Sequence, residues 1–153
     1  MTPPDESELA NASKRVIANR LYTLATAVLA CYWLAMFTGT HWPNFSLERY
    51  PQNTDKLLHF SAYAGLSFLI ALRLACKRAR AAGELLRLPS LAARDALWIM
   101  AVIVGYSVFD EVTQPYFGRT CDFFDALADW IGGSFGLGVF AVIRRLLRRL
   151  AVA

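Results

Sequence analysis

The chain has 153 residues, 56% of them hydrophobic and 18% charged, with 16 Lys and Arg against 12 Asp and Glu and a formal net charge of +4; its mean hydropathy is +0.36. An ordinary soluble domain is roughly 45–50% apolar even with glycine counted, so this composition argues for a compact membrane domain. The basic residues flank apolar stretches and lack an aromatic stacking platform, which argues against nucleic acid as a partner.

Residues 1–15 read as a polar cytoplasmic tail carrying Asp5, Glu6 and Glu8, followed by a membrane domain over residues 16–150. Lys14, Arg15 and Arg20 precede the first apolar stretch, Leu21 to Phe37, which exceeds the ~7–15 residues of a signal-peptide core and reads as an uncleaved anchor. Thr38 to Thr54 holds Pro43, Asn44, Pro51, Gln52 and Asn53 and reads as an outer loop. Its His41, Trp42, Phe45 and Tyr50 suit the headgroup zone.

The second stretch, Leu57 to Ala75, is preceded by Asp55 and Lys56, with Asp55 at or near the helix N-cap. His59 and Tyr63 follow at four-residue steps, so a hydrogen-bonded line from Asp55 through His59 to Tyr63 is expected along one face. Lys77 to Pro89 is an arginine-rich connector in which Arg78 to Leu88 suits an interfacial helix. The third stretch, Leu91 to Phe109, is interrupted near its start by Arg94 and Asp95 and ends in Asp110, Glu111 and Gln114. Thr113 to Cys121 reads as a short outer turn from which Arg119 reaches a carboxylate bidentately.

In the fourth stretch, Phe123 to Ile143, Asp122, Asp125 and Asp129 mark one acidic helix face. It runs into Gly132, Gly133 and Gly136, where the spacing of Gly132 and Gly136 permits close helix packing within one chain or between two. Four stretches near the 17–25 residues a span requires predict an all-α, four-helix transmembrane bundle. Cys31, Cys76 and Cys121 lie at different depths, so no disulfide is expected and Cys121 reads as a packed thiol.

Thirteen basic residues lie before helix 1, around the connection of helices 2 and 3, and after helix 4; only Arg49, Lys56 and Arg119 lie on the other side. The positive-inside rule then makes both termini cytoplasmic. Arg144, Arg145, Arg148 and Arg149 are expected to meet anionic lipid headgroups. The outer side keeps seven acids, and an ionisable group at the centre of a membrane helix costs about 2.5–3.5 kcal/mol. The acidic stripe must therefore face protein or water.

Asp55-Lys56-x-x-His59-Phe60 with Tyr63 and Leu66, Glu111-x-x-Gln114, and Gly118-Arg119 followed by Asp122, Asp125, Asp129, Gly132 and Gly136 together resemble the VanZ-like family of small membrane proteins. The resemblance runs from about Thr38 to Gly136, with Asp129 standing where many members carry asparagine. It implies a bacterial inner-membrane setting. The family is named for a protein associated with resistance to the glycopeptide teicoplanin, which implies a link to the cell envelope.

The residues then support two readings. In the first, a site at the outer face binds or processes a lipid-linked or cell-envelope molecule. His59, Glu111 and Asp125 are its candidate catalytic groups, and Asp55, Lys56, Tyr63, Gln114, Arg119, Asp122 and Asp129 its candidate ligand-binding groups. Several oxygens and one imidazole suit a divalent cation, but no closed Cys/His ligand set identifies one, so metal and cofactor stay open. In the second, Arg119 and Lys56 only neutralise the acids and tie helix ends together. A through-channel is disfavoured because the cytoplasmic half of helix 4 has no ionisable continuation.

Overall fold

A computed structural model of the chain describes residues 5–43, 53–83 and 89–150. Its helices are α1 (Glu6–Thr40), α2 (Thr54–Ala82), α3 (Ala93–Thr113), continued by a single 3-10 turn (Gln114–Phe117), and α4 (Phe123–Leu150). All four are long and apolar enough to cross a membrane, and no strand occurs among the described residues. The bundle is all-α, as the four apolar stretches predict.

Each of α2, α3 and α4 buries a single stripe at steps of three and four residues. On α2 it is His59, Tyr63, Leu66, Ser67, Ile70, Ala71 and Ala75; on α4 it is Asp125, Ala126, Asp129, Gly132, Gly133, Gly136 and Phe140. The polar members of these stripes point inward. Leu57, Leu97, Trp98, Val108, Ile131 and Phe135 are exposed on the opposite faces, an arrangement that suits hydrocarbon rather than water. The helix α1 buries little besides Ala18, Ala25 and Met36, and forms the outer wall.

The tightest packing joins α2 to α4. A Cβ on Gly132 would collide with the Phe60 carbonyl, and one on Gly136 with the Ala64 carbonyl and the Ser67 hydroxyl. One turn further on, the rings of Phe68 and Phe140 meet at 6.0 Å. Equal steps in the same direction on both helices mean that α2 and α4 run parallel, in register, with backbones in close approach. Ser67 Oγ donates to the Gly133 carbonyl at 2.8 Å, while the Gly133 Cα faces Ile103 of α3. The glycine seam thus packs helices within one chain.

At one end of the bundle, Thr40 of α1 meets Asp110 of α3 beside the starts of α2 and α4. At the other end, Arg78 donates to both oxygens of Asp95 at 2.6 and 2.7 Å, and Asp95 also accepts the Ala92 N–H at 2.7 Å. The helices therefore alternate in direction, which places the start of α1 and the end of α4 together. Asp95 does not interrupt the third span: it is a buried, fully paired group at the first turn of α3, and Arg94 stays exposed.

Three local expectations change. The first helix begins at Glu6, inside the polar segment read as a tail. At 35 residues it extends about 52 Å, well beyond a hydrocarbon core of about 30 Å, so its polar N-terminal turns project from the membrane. Thr38 to Thr40 belong to α1 rather than to the outer loop. Arg78 to Ala82 continue α2 until Gly83, at φ 69°, caps it, where an interfacial helix was expected. Residues 44–52 of the outer loop and 84–88 of the connector lie outside the described residues.

Substitution separates the seam from other glycines. Gly136→Leu forces α4 away from the Ala64 backbone and should cost at least 2–3 kcal/mol, since overpacking alone costs about 1–3 kcal/mol. Gly138→Ala, with open space at its Cβ, should leave stability within about 1 kcal/mol. Unfolding in mixed detergent micelles checks both values; equal losses would contradict the packing.

Candidate functional site

The polar end is built where α2 and α4 begin and α1 and α3 finish. Lys56, in the first turn of α2, reaches across to α4 and donates to Asp122 Oδ2 at 2.8 Å and Asp125 Oδ1 at 3.0 Å. Asp122 stands just before α4 and accepts the Phe124 N–H at 2.8 Å, which satisfies one free donor of that helix end. The Lys56 ammonium, then the Phe124 N–H, hold the Asp122 carboxyl below the usual carboxylate range. The Asp122 N–H in turn donates to Glu111 Oε2 at 2.8 Å, tying α3 to the start of α4.

One turn deeper, His59 Nδ1 lies 2.9 Å from Asp129 Oδ1, and Ser107 Oγ of α3 donates to Asp129 Oδ2 at 2.7 Å. Asp129 is completely buried, so three helices meet on one carboxylate. Its extra charge, relative to the asparagine implied by the family resemblance, is thus met by an imidazole and a hydroxyl. His59 Nε2 has no hydrogen-bond partner among the described residues, and its separation from Asp55 Oδ1 is 4.0 Å.

The expected line along α2 is therefore replaced by contacts between helices. Asp55 is not the cap: Asn53, at φ 71°, precedes α2, and Asp55 sits inside its first turn, paired with Arg119 Nη2 at 3.2 Å. Tyr63 is fully buried beneath His59 but its hydroxyl has no hydrogen-bond partner among the described residues. Arg119 reaches its carboxylate through one nitrogen rather than two, because Nη1 donates to the Thr40 carbonyl at 3.1 Å. It thereby ties the end of α1 to the start of α2. Gln114, also fully buried, directs its amide nitrogen toward Asp110 and Glu111, each at 3.4 Å.

Asp55, His59, Tyr63 and Arg119 share one wall of a cleft of about 430 Å³ between α1 and α2. Met36, Leu58, Ala62 and Trp42 supply apolar surface beside them. Lys56, Glu111, Gln114, Asp122, Asp125 and Asp129 do not line the cleft, and of these Asp129 holds a cleft-wall group, His59, in place. All ten sequence-designated site residues thus gather at one end of the bundle, but only four line the cleft. Gly132 and Gly136 lie below and bring α4 close enough for Asp129 to meet His59.

Four contributors escape a reading along the chain. Buried His41 stacks on Phe37 at 4.2 Å and places Nε2 2.7 Å from Thr113 Oγ1, closing α1 on α3. Thr40 Oγ1 donates to the fully buried Asp110 at 2.7 Å. By sequence His41 suits the headgroup zone and Ser107 carries no signal; neither stands in a motif. Cys121 is exposed rather than packed, and the three cysteines are free thiols.

A family model described as VanZ/LLP1 matches residues 6–144, a range wider than the motifs alone delimit. The chain belongs to that family. No curated protein and no solved structure matches it.

Lys56 is the test of this electrostatic frame. Lys56→Met leaves buried Asp125 without its ammonium and should cost about 2 kcal/mol, below the 3–5 kcal/mol of a fully enclosed pair because Lys56 itself reaches water. Adding Asp125→Asn should recover more than half of that loss. A double-mutant cycle from unfolding in micelles measures the coupling, and additive losses would contradict it.

Proposed function

We propose that this VanZ/LLP1 family protein binds a lipid-linked or cell-envelope molecule in the cleft between α1 and α2, at the extracytoplasmic face of the bacterial inner membrane. The observation that carries the reading is the pairing, within one cavity, of apolar walls from Met36, Leu58 and Ala62 with the ionic groups of Asp55, His59 and Arg119. A chain of hydrocarbon suits the walls. A phosphate or carboxylate headgroup suits Arg119, whose guanidinium keeps donors beyond the two bonds it makes, with Lys56 adding positive potential behind it.

Binding is the core of the proposal, and any processing would fall to His59, the imidazole on the cleft wall, with Asp55 beside it as a second acid–base group. Asp125, whose Oδ1 takes the Lys56 ammonium, and Glu111, which accepts the Asp122 N–H, stand behind the wall and do not touch the lipid-linked ligand. A purely structural role, in which Lys56 and Arg119 only tie helix ends, draws support from the bonds those residues make. It leaves the amphipathic cleft, and a His59 Nε2 with no partner among the described residues, without a purpose. Teicoplanin tolerance, if this member confers it, would act through the same outward face.

The orientation follows from charge. The end of the bundle that holds the start of α1, the Arg78–Asp95 pair and the end of α4 carries the basic residues, which favours that end, and both termini, on the cytoplasmic side. Exposed Cys121 provides a native reporter at the other end. In a Cys31→Ser, Cys76→Ser background, a membrane-impermeant maleimide should label Cys121 in intact spheroplasts. Labelling only after permeabilisation would reverse the topology.

The cleft itself is tested by filling it. Gly39 lines it and has nothing within 4 Å of its Cβ position among the described residues, so Gly39→Phe introduces a ring at the cleft with no clash at Cβ. Native mass spectrometry with a polyprenyl phosphate should detect one bound lipid on the wild-type chain, at least about tenfold weaker binding for Gly39→Phe and Arg119→Ala, and weaker binding of the neutral polyprenol, each tenfold step being about 1.4 kcal/mol. Equal binding by all three proteins would remove the cleft as the site.

A further inference from the structure

His59 is held in one orientation by contacts that leave its other nitrogen without a hydrogen-bond partner among the described residues. Asp129 Oδ1 takes Nδ1 at 2.9 Å, and Ser107 fixes that carboxylate from behind at 2.7 Å. A carboxylate at Nδ1 favours the tautomer with the proton there and directs the Nε2 lone pair outward. His59 is only 5% exposed, yet Nε2 has no hydrogen-bond partner among the described residues. Carboxylate–imidazole pairs of this form are the usual support behind a metal-ligating histidine.

What surrounds the cluster points the same way. Ligand atoms of Asp55, His59 and Asp125 all lie within 4.8 Å of one another. The described residues at this end bring six carboxylates together, Asp55, Asp110, Glu111, Asp122, Asp125 and Asp129, against two fixed cations, Lys56 and Arg119. Those cations each engage Oδ1 of Asp125 and of Asp55, so each carboxylate retains a second oxygen. We infer that Asp55, His59 and Asp125 bind a divalent transition-metal ion, Mn²⁺ or Zn²⁺, on the wall of the cleft.

The donor set decides the class of ion. One imidazole with two carboxylates suits Mn²⁺ or Zn²⁺; Ca²⁺ takes oxygen ligands, and Cu(I) takes sulfur. Ligand atoms around a tetrahedral ion with ~2.1 Å bonds stand about 3.4 Å apart, so the 4.0 Å between His59 Nε2 and Asp55 Oδ1, the oxygen that Arg119 also engages, needs a closure of about 0.6 Å or a turn of the carboxylate to present its other oxygen. Three protein ligands leave at least one coordination position open. Asp55 and His59 both border the cleft, so that position would meet an anionic headgroup there.

His59, Glu111 and Asp129 form a second convergent trio, but both of its carboxylates are already engaged. Asp129 holds His59 Nδ1 and Ser107 on its two oxygens, and Glu111 accepts the Asp122 N–H on Oε2 and the Gln114 amide on Oε1. The outer trio is therefore the ligand set. Metal binding does not require the lipid-linked ligand proposed above, and is tested with the ion alone.

Full-length protein in detergent, stripped with chelator, is titrated with Mn²⁺ while the free-ion signal is followed by electron paramagnetic resonance. One saturable Mn²⁺ per chain, displaced by Zn²⁺, is the expected result. His59→Ala, Asp55→Asn and Asp125→Asn should each weaken binding at least tenfold, and Asp129→Asn by about 10–100-fold through the ring it orients. His41→Ala and Glu111→Gln should leave affinity unchanged. Should His59→Ala fail to fold, Asp55→Asn, which loses a partly exposed carboxylate, decides the matter. No saturable binding of either ion, undiminished binding by Asp55→Asn, or loss of binding by Glu111→Gln would each overturn the assignment.

Discussion

The contact between the His59 imidazole and the Asp129 carboxylate, made in the interior between two parallel helices, is the constraint on which the rest of the structure depends. A lone carboxylate at zero exposure in a membrane helix is costly, and one that already accepts an imidazole and a serine hydroxyl is far less so. That pairing requires α2 and α4 to approach more closely than ordinary side chains permit. Gly132 and Gly136 provide the approach by setting α4 against the carbonyls of Phe60 and Ala64. Packing lower in the bundle thus positions a polar group higher up.

The same economy extends outward. Lys56 and Arg119 each reinforce a junction between helices: Lys56 joins α2 to α4, and Arg119 joins the α1 carboxyl end to α2. Glu111 accepts the N–H of Asp122 and fixes the corner between α3 and α4. Below the cleft α1 packs on α2, where Tyr32 donates to the Ala62 carbonyl over Gly65 and Arg73 engages Tyr22 and Thr26. The cleft lies where that packing stops. The buried stripes of α2, α3 and α4 beside a peripheral α1 give the polar end its wall, with the cleft between α1 and α2.

The fold was largely readable from the chain because span length, apolar stripe and charge asymmetry are properties of one segment at a time. The glycine spacing and the gathering of His59, Glu111, Arg119 and Asp125 at one end were readable for the same reason: alternating spans bring alternate ends together. Which acid meets which base was not. Spacing along α2 favours Asp55 with His59, but the α2–α4 register, set by glycines more than a turn away, hands His59 to Asp129. Arg119 likewise divides its bonds between Asp55 and a backbone carbonyl of α1, a partner with no signature in sequence. His41 and Ser107 stayed hidden because their roles arise from the packing of α1 on α3 and of α3 on α4, and neither sits at a telling interval from another polar residue.

With only two histidines in the chain, the central contact is open to direct measurement. Nitrogen-15 spectra of histidine-labelled protein in lipid nanodiscs report the hydrogen bonding of each ring nitrogen. The account predicts a strongly hydrogen-bonded Nδ1 on His59 that shifts on Asp129→Asn while the His41 resonances stay in place. A His59 ring with the shifts of a solvated imidazole, indifferent to Asp129→Asn, would contradict it.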